Sequence, residues 1–354
     1  MPLKVKFIQA LHGDSILITN EAENGTSRIL IDGGPPLAFN SRPPSKSRGG
    51  NLKRALDELV EENQKVDLVI LTHVDDDHIG GLIKAFEHPD YLFKIAEKIL
   101  FNSGQLIFEH FGHPINESND IQGNFDSNPK TSINQGISFE KLISDNQLWD
   151  RRLINQSEIY RLTDLTLKFL SPNDLALRKL LNKWTAEQES PFTSASNTDY
   201  RLSYEELLAS DSFQEDQSIH NGSSLSFILE KGDLKLVFLG DAHPSTVIEG
   251  LHKLGYTEAN PLNAEFVKLS HHGSKGNTNI ELLKLIKTDK YVVSTDGSKH
   301  GLPNKTTFAR IHSVNQNANI LFNYPHMVAR IYTASECEEL GERLQEIDGE
   351  ITFG

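Results

Sequence analysis

The chain holds a single cysteine, Cys337, in 354 residues. That excludes an internal disulfide framework and a zinc site built on thiolates, and it suits a reducing compartment, read here as the cytoplasm. Long apolar runs are missing too. Nothing approaches the roughly 18 residues that a membrane helix needs, and Met1 to Ile8 lacks the apolar core of an export signal, so no membrane association is expected. Positive charge is in deficit, with 35 Lys and Arg against 49 Asp and Glu and a net charge of −14. This balance argues against indiscriminate coating of nucleic acid. A local basic group, Arg42, Lys46, Arg48, Lys53 and Arg54, nevertheless stands inside the acidic whole. Its two readings are a solvated loop and an anion-facing patch. Hydrophobic residues make up 37% and charged residues 24%, proportions of a globular chain long enough for one large domain or two.

What the chain does have is Thr72-His73-Val74-Asp75-Asp76-Asp77-His78-Ile79-Gly80-Gly81, with two histidines and three aspartates within six residues. Val66-Asp67-Leu68-Val69-Ile70-Leu71 before it reads as a buried strand, and the helix after it is expected to start near Gly80. Five ionisable side chains at such a turn repel one another beside low-dielectric surroundings. A divalent cation reverses that cost, because carboxylate oxygens and imidazole nitrogens are its preferred donors.

Upstream, Leu3–Ile8, Ser15–Ile18 and Arg28–Ile31 read as strands, the last two joined through Asn24-Gly25. Leu52, Leu56, Leu59 and Val60 put an amphipathic helix at 51–63. The opening is therefore strand–strand–strand–helix–strand, and Gly33-Gly34 lacks the dinucleotide fingerprint. Residues 102–156 are polar, and 173–218 are polar and helical with Leu175, Leu177, Leu180 and Leu181 on one face. Both read as insertions into a single domain spanning 1–354, either covering a site or elaborating the surface. Between them Leu165–Leu170 forms a strand. Ser224–Leu229 and Lys235–Leu239 then make a hairpin, followed by strands at Phe266–Ser270 and Tyr291–Ser294 with a helix at 279–287. The recurring β-then-α pattern suits two sheets face to face with helices outside. Three of these strands end at Asp241, at His271-His272 and near His300, so four segments deliver metal-type side chains to one sheet edge.

In this order the motifs resemble the metallo-β-lactamase superfamily, specifically its ComEC-like branch. The superfamily signature His-x-His-x-Asp-His stands here with Asp75 in the second histidine's place, as is common in that branch. Gly13-Asp14, Leu30-Ile31-Asp32-Gly33-Gly34, Asn221 with Ser224-Leu225, Gly240-Asp241, His271-His272-Gly273-Ser274 and His300-Gly301 with Pro303 follow in register. The resemblance implies an α/β four-layer αβ/βα sandwich holding two divalent ions, zinc or manganese, with iron also compatible. By position, His73 and Asp75 would bind one ion, Asp77 and His78 the other, and Asp241 both. One of His271 and His272 would complete the second ion; the reading adopted is His272 as ligand and His271 facing substrate. His220 could fill the third-motif position, where the branch often lacks a histidine. His300 would meet the leaving group, and Asp76 would orient an imidazole or cap the following helix. His12, His243 and His326 are read as surface or supporting residues, and Lys275 as solvated.

The activity implied is hydrolysis by a water whose pKa the paired ions lower from about 15.7 towards 7, with Asp77, His271 and His300 as the catalytic set. A phosphodiester in nucleic acid or a nucleotide is the expected substrate, with protein partners possible. A small ester, lactone or thioester is the alternative, and an interaction module with a structural or degenerate metal site is the second. Asp75 adds a hard oxygen donor, which lowers selectivity for zinc and admits manganese.

Overall fold

A computed structural model of the chain describes residues 1–23, 25–40, 49–111, 132–144, 147–186 and 198–354, with backbone only at 185–186. Arg42, Lys46 and Arg48 of the basic group, Asn24 of the first turn, and segments 112–131, 145–146 and 187–197 of the two insertions lie outside the described residues.

Alternation along the strands builds the layers. Ile29 and Ile31, Leu68 and Ile70, and Leu236 and Phe238 point into a core shared by two sheets. Their neighbours Leu30, Val69, Val237 and Leu239 point the other way, into helix-facing cores. A strand buried on both faces in this manner must lie inside an αβ/βα stack, because side chains alternate with a period of two. The first sheet runs in the order Glu350–Phe353, Leu3–Phe7, Ile16–Ala22, Gly25–Ile31, Leu68–Ile70, Ile99–Leu100. The second runs Leu344–Glu346, Asn319–Phe322, Lys290–Val293, Phe266–Lys268, Leu234–Phe238, Ser226–Lys231, Leu165–Ser171, Ile159–Leu162. Antiparallel pairing joins the strands at 350, 3, 16 and 25, and parallel pairing joins those at 25, 68 and 99. In the second sheet the strands from 234 to 344 are parallel. Among the described residues no helix is long and apolar enough to cross a membrane.

Parallel strands collect their carboxyl ends at one edge, where ligands of open α/β sheets bind. Here that edge carries Asp32 after Ile31, His73 after Ile70, Asp241 after Phe238, and His271 and His272 after Lys268. Two backbone bonds stitch the strand ends: Leu225 N–H to the Thr72 carbonyl, 3.0 Å, between the two sheets, and His271 N–H to the Gly240 carbonyl, 2.9 Å, between neighbouring strands of the second sheet.

The motif helix is Asp76–Glu87, so it starts four residues earlier than expected. Asp75 is its N-cap, and Asp76 and Asp77 occupy the first turn, where carboxylates meet the positive end of the helix dipole. Gly80 and Gly81 serve packing instead of initiation. A Cβ on Gly81 would stand 2.0 Å from the Gly33 carbonyl oxygen. That contact, with the 2.8 Å bond from Gly33 N–H to the His78 carbonyl, presses the helix onto the sheet.

The described parts of the insertions pack into the core. Residues 102–156 contain helices Gly104–His110 and Ser132–Ser144, which bury Ile107, Ile133, Phe139 and Ile143 in the same core as Leu177, Leu180, Leu181 and Trp184 of helix Asp174–Ala186. Leu175 leaves the expected apolar face; it is 62% exposed. The edge strands Ile159–Leu162, Leu344–Glu346 and Glu350–Phe353 were not anticipated. The last two extend one edge of each sheet.

Two predictions follow from packing. Gly81→Ala forces the helix from the strand and lowers stability by about 1–3 kcal/mol in denaturant unfolding, the usual cost of overpacking; an unchanged midpoint would contradict the close approach. Glu140 is buried, and among the described residues its Oε2 has no hydrogen-bond partner. Burial pushes its carboxyl up to about 7 from 4.5. The folded state thus holds the proton more tightly, so stability is full below pH ~4.5 and falls as pH rises through ~7, by roughly 2–3 kcal/mol. Glu140→Gln should remove that decline when urea midpoints are compared at pH 5 and pH 8.

Candidate metal centre

Four strand ends and one helix start converge on Asp241, which is 2% exposed. Its Oδ2 lies 3.7 Å from His73 Nε2, 3.5 Å from His78 Nε2 and 3.8 Å from His271 Nε2. His73 Nε2 is also 3.6 Å from Asp75 Oδ2, and His272 Nε2 is 3.5 Å from Asp77 Oδ2. These separations are too long for good hydrogen bonds. They resemble the spacing of roughly 3.4 Å between two donors that each sit about 2.1 Å from one tetrahedral cation.

The outer ring nitrogens explain why the inner ones carry lone pairs. His78 Nδ1 is 2.8 Å from Asp32 Oδ2, and His272 Nδ1 is 2.9 Å from the Ser294 carbonyl oxygen. Each acceptor holds the Nδ1 proton, which leaves Nε2 as an acceptor aimed inward. Among the described residues, His73 Nε2, His78 Nε2, His272 Nε2 and Asp241 Oδ1 are buried with no hydrogen-bond partner. Four such atoms around one point are costly unless something else satisfies them. Divalent cations fit this donor set in both chemistry and spacing.

Electrostatics point the same way. Burial alone would depress the His78 imidazole, but Asp241 and Asp32 overcome it and raise His78 well above its ordinary value. His272 is likewise pushed up to about 9 against burial, chiefly by Asp14 and Asp77. Burial opposes ionisation of Asp241, yet His78 and His271 hold it well below the usual carboxylate range. With no cation, the carboxylates recruit protons to the imidazoles, so a cation binding here displaces protons.

His73, Asp75, Asp77, His78, Asp241, His271 and His272 are thus brought together. His220 joins them, its Nδ1 2.7 Å from Asp75 Oδ1. Asp75 stands at the helix N-cap, but its carboxylate makes no capping bond and faces His73 and His220 instead. His300 sits on the exposed loop after Val293, with a positive φ of 58°. Asp76 is not the helix cap, and among the described residues it meets no imidazole: it accepts a 2.6 Å bond from Gln135 of the first insertion, tying that insertion to the motif helix. His243 stands behind the site near Asp216, and His326 Nε2 faces the Asp296 carbonyl oxygen.

Three supporting side chains carried no role in the sequence. Asp32 accepts from Thr72 N–H at 2.8 Å and Thr72 Oγ1 at 2.7 Å besides holding His78. Asp14, His78, Asp241 and His272 have ligand-type atoms within 4.8 Å of one another. Asp14, however, is paired through Oδ2 with the buried Lys268 ammonium, and its Oδ1 faces the outer nitrogen of His272 at 3.5 Å. Its place is therefore behind His272, not among the inward donors. The Gly-Asp and Asp-Gly-Gly motifs were visible signals for Asp14 and Asp32, whereas nothing local marks Lys268.

Residues 9–131 match the family described as the metallo-beta-lactamase superfamily. The chain is 22% identical over 343 residues to ComE operon protein 3 of Bacillus subtilis (strain 168), covering 92% of this chain and 33% of that protein. It therefore spans about a third of the length of the curated relative it matches. Similar solved structures include the metallo-beta-lactamase fold protein YhfI from Bacillus subtilis, 12% identical, TM-score 0.44, covering 100% of this chain and 99% of YhfI. Zinc-bound PqqB from Methylobacterium extorquens is 12% identical with a TM-score of 0.40 and covers 100% of both chains. In its matched segment 9–131 and its His73–His78 array the chain is similar to the metallo-β-lactamase superfamily, and its motif form resembles that of the ComEC-like branch.

Proposed function

We propose that the chain is a dinuclear metal-dependent phosphodiesterase acting on nucleic acid or nucleotides. The observation that carries this reading is the pair of carboxylate–imidazole nests meeting at Asp241. His73, Asp75 and His220 would hold one divalent ion, Asp77, His78 and His272 the second, and Asp241 both. Such ions supply Lewis acidity, acidifying water and offsetting charge that develops at the attacked phosphorus. Asp75 and Asp77 contribute hard oxygens, which suits manganese as well as zinc. The chain's own groups orient and deliver protons. Asp32 and Ser294 fix the tautomers of His78 and His272. His271, with Nε2 turned to the site and its side chain 24% exposed, is positioned to protonate the departing oxygen. His300 lines the approach from its exposed loop. The likeness to ComE operon protein 3 and the branch motif favour a nucleic-acid substrate.

The net charge of −14 favours a second reading, hydrolysis of a small ester, lactone or thioester. Turnover of bis(p-nitrophenyl) phosphate against p-nitrophenyl acetate, each in manganese and in zinc, separates the two. Preferential diester cleavage supports phosphodiester hydrolysis; ester cleavage alone would replace it.

Elemental analysis should find about two divalent ions per chain. Asp241→Ala should lose most of that metal and lower kcat/KM about 10³-fold, equivalent to ~4 kcal/mol. Metal-free, inactive wild type, or full activity in Asp241→Ala and Asp77→Ala, would leave only an interaction module. Asp32→Asn frees the His78 ring and should weaken metal affinity by about 10–100-fold with the fold intact. Competition with a chromogenic chelator measures this, and unchanged affinity would deny Asp32 its orienting role.

A further inference from the structure

Asp216 lies in the polar segment between helices Tyr204–Ala209 and Ile219–Gly222, inside the second insertion. Its surroundings are built around the carboxylate. Oδ1 accepts the Ser218 N–H at 2.8 Å, and Oδ2 accepts Asn221 Nδ2 at 2.6 Å and Asn277 Nδ2 at 3.1 Å. Its backbone N–H donates to the Gly276 carbonyl at 3.0 Å, anchoring the segment to the loop after the histidine pair. Oδ2 then faces His271 Nδ1 at 3.4 Å, while His243 Nε2 stands farther off at 4.0 Å.

His271 Nδ1 has two acceptors near it, Asp216 Oδ2 and Asn277 Oδ1 at 3.2 Å, against one amide donor, Asn221 Nδ2 at 3.3 Å. Asn221 Nδ2 gives the shorter of its two bonds to Asp216, at 2.6 Å. The acceptors prevail, so Nδ1 carries the proton and Nε2, 3.8 Å from Asp241 Oδ2, is the working nitrogen. The backbone needs this support: His271 has φ 44° and His272 φ 52°, both in the left-handed region that costs a non-glycine residue energy.

We infer that Asp216 is a positioning residue that holds His271 through Nδ1, so that Nε2 is presented to the leaving oxygen of the substrate. This rests on the phosphodiesterase reading only for the chemistry, not for the geometry. Water adds to phosphorus as the bond to the leaving oxygen breaks. The bonding pair stays on that oxygen; the Nε2 lone pair of His271 accepts the proton released by the attacking water and hands it to that oxygen, which returns the imidazole to its Nδ1–H form. A segment that sequence composition marks as peripheral thereby supplies part of the machinery.

Two readouts test it on the metal-loaded full chain. In ¹⁵N-histidine NMR at pH 8, with His271 assigned through His271→Gln, wild type should show the Nδ1–H form, and Asp216→Asn and Asp216→Ala should shift the proton to Nε2. An unchanged tautomer would overturn the inference, leaving Asn277 as the holder. In kinetics, Asp216→Asn should lower kcat about 100-fold on a dinucleoside monophosphate, whose alkoxide needs the proton. On a p-nitrophenyl nucleotide ester, whose leaving group does not, the loss should be at least tenfold smaller, with KM and metal content retained. Equal losses on both substrates, loss of metal, or losses that simply add to those of His271→Ala would also overturn it. If wild type cleaves neither diester, the phosphodiesterase reading fails, and the NMR result alone decides the role of Asp216.

Discussion

One buried carboxylate organises this protein. Asp241, itself 2% exposed, gathers three imidazole nitrogens at 3.5–3.8 Å around a single oxygen. No set of hydrogen bonds satisfies that arrangement, because the separations are too long and, among the described residues, the inward nitrogens of His73, His78 and His272 have no hydrogen-bond partner. The parallel strand ends, the positive-φ turn at the histidine pair and the Gly33–Gly81 contact each bring a donor to that point. They are intelligible as a frame for cations and poorly intelligible otherwise.

The supporting groups form an outer ring with its own electrostatic logic. Asp32 holds His78, the Ser294 carbonyl holds His272, and Asp14 stands behind His272 with Lys268 neutralising its other oxygen. Burying Asp14 alone would be costly; the Lys268 ammonium and the His272 ring keep it ionised well below the usual carboxylate range. Removing either partner of that pair strands a charge where water cannot reach it. The donor-bearing sheet edge therefore depends on ionic groups in the sheet interior as well as on the inward donors.

Much of this was legible from the chain. The His73–His78 segment concentrates its donors in one turn, and Asp241 and the histidine pair each close an apolar run, so pattern alone exposes them. Alternation also revealed the two-sheet stack. Helix initiation misled because Gly80 and Gly81 look like a start, while the acidic residues before them are the true first turn. Lys268, Asp216 and the strands at 344–346 and 350–353 were hidden for a different reason. Lys268 sits in mid-strand and Asp216 in a polar loop, and their partners are far away in sequence. Only tertiary approach gives such residues a meaning, and the late strands are short edge elements without a long apolar period.

The most direct measurement of the central claim is anomalous diffraction from crystals grown with manganese. Two peaks about 3.5–4 Å apart, with the Asp241 carboxylate between them, are the result the account requires. Density at no more than one position, or ions bound away from Asp241, would contradict it.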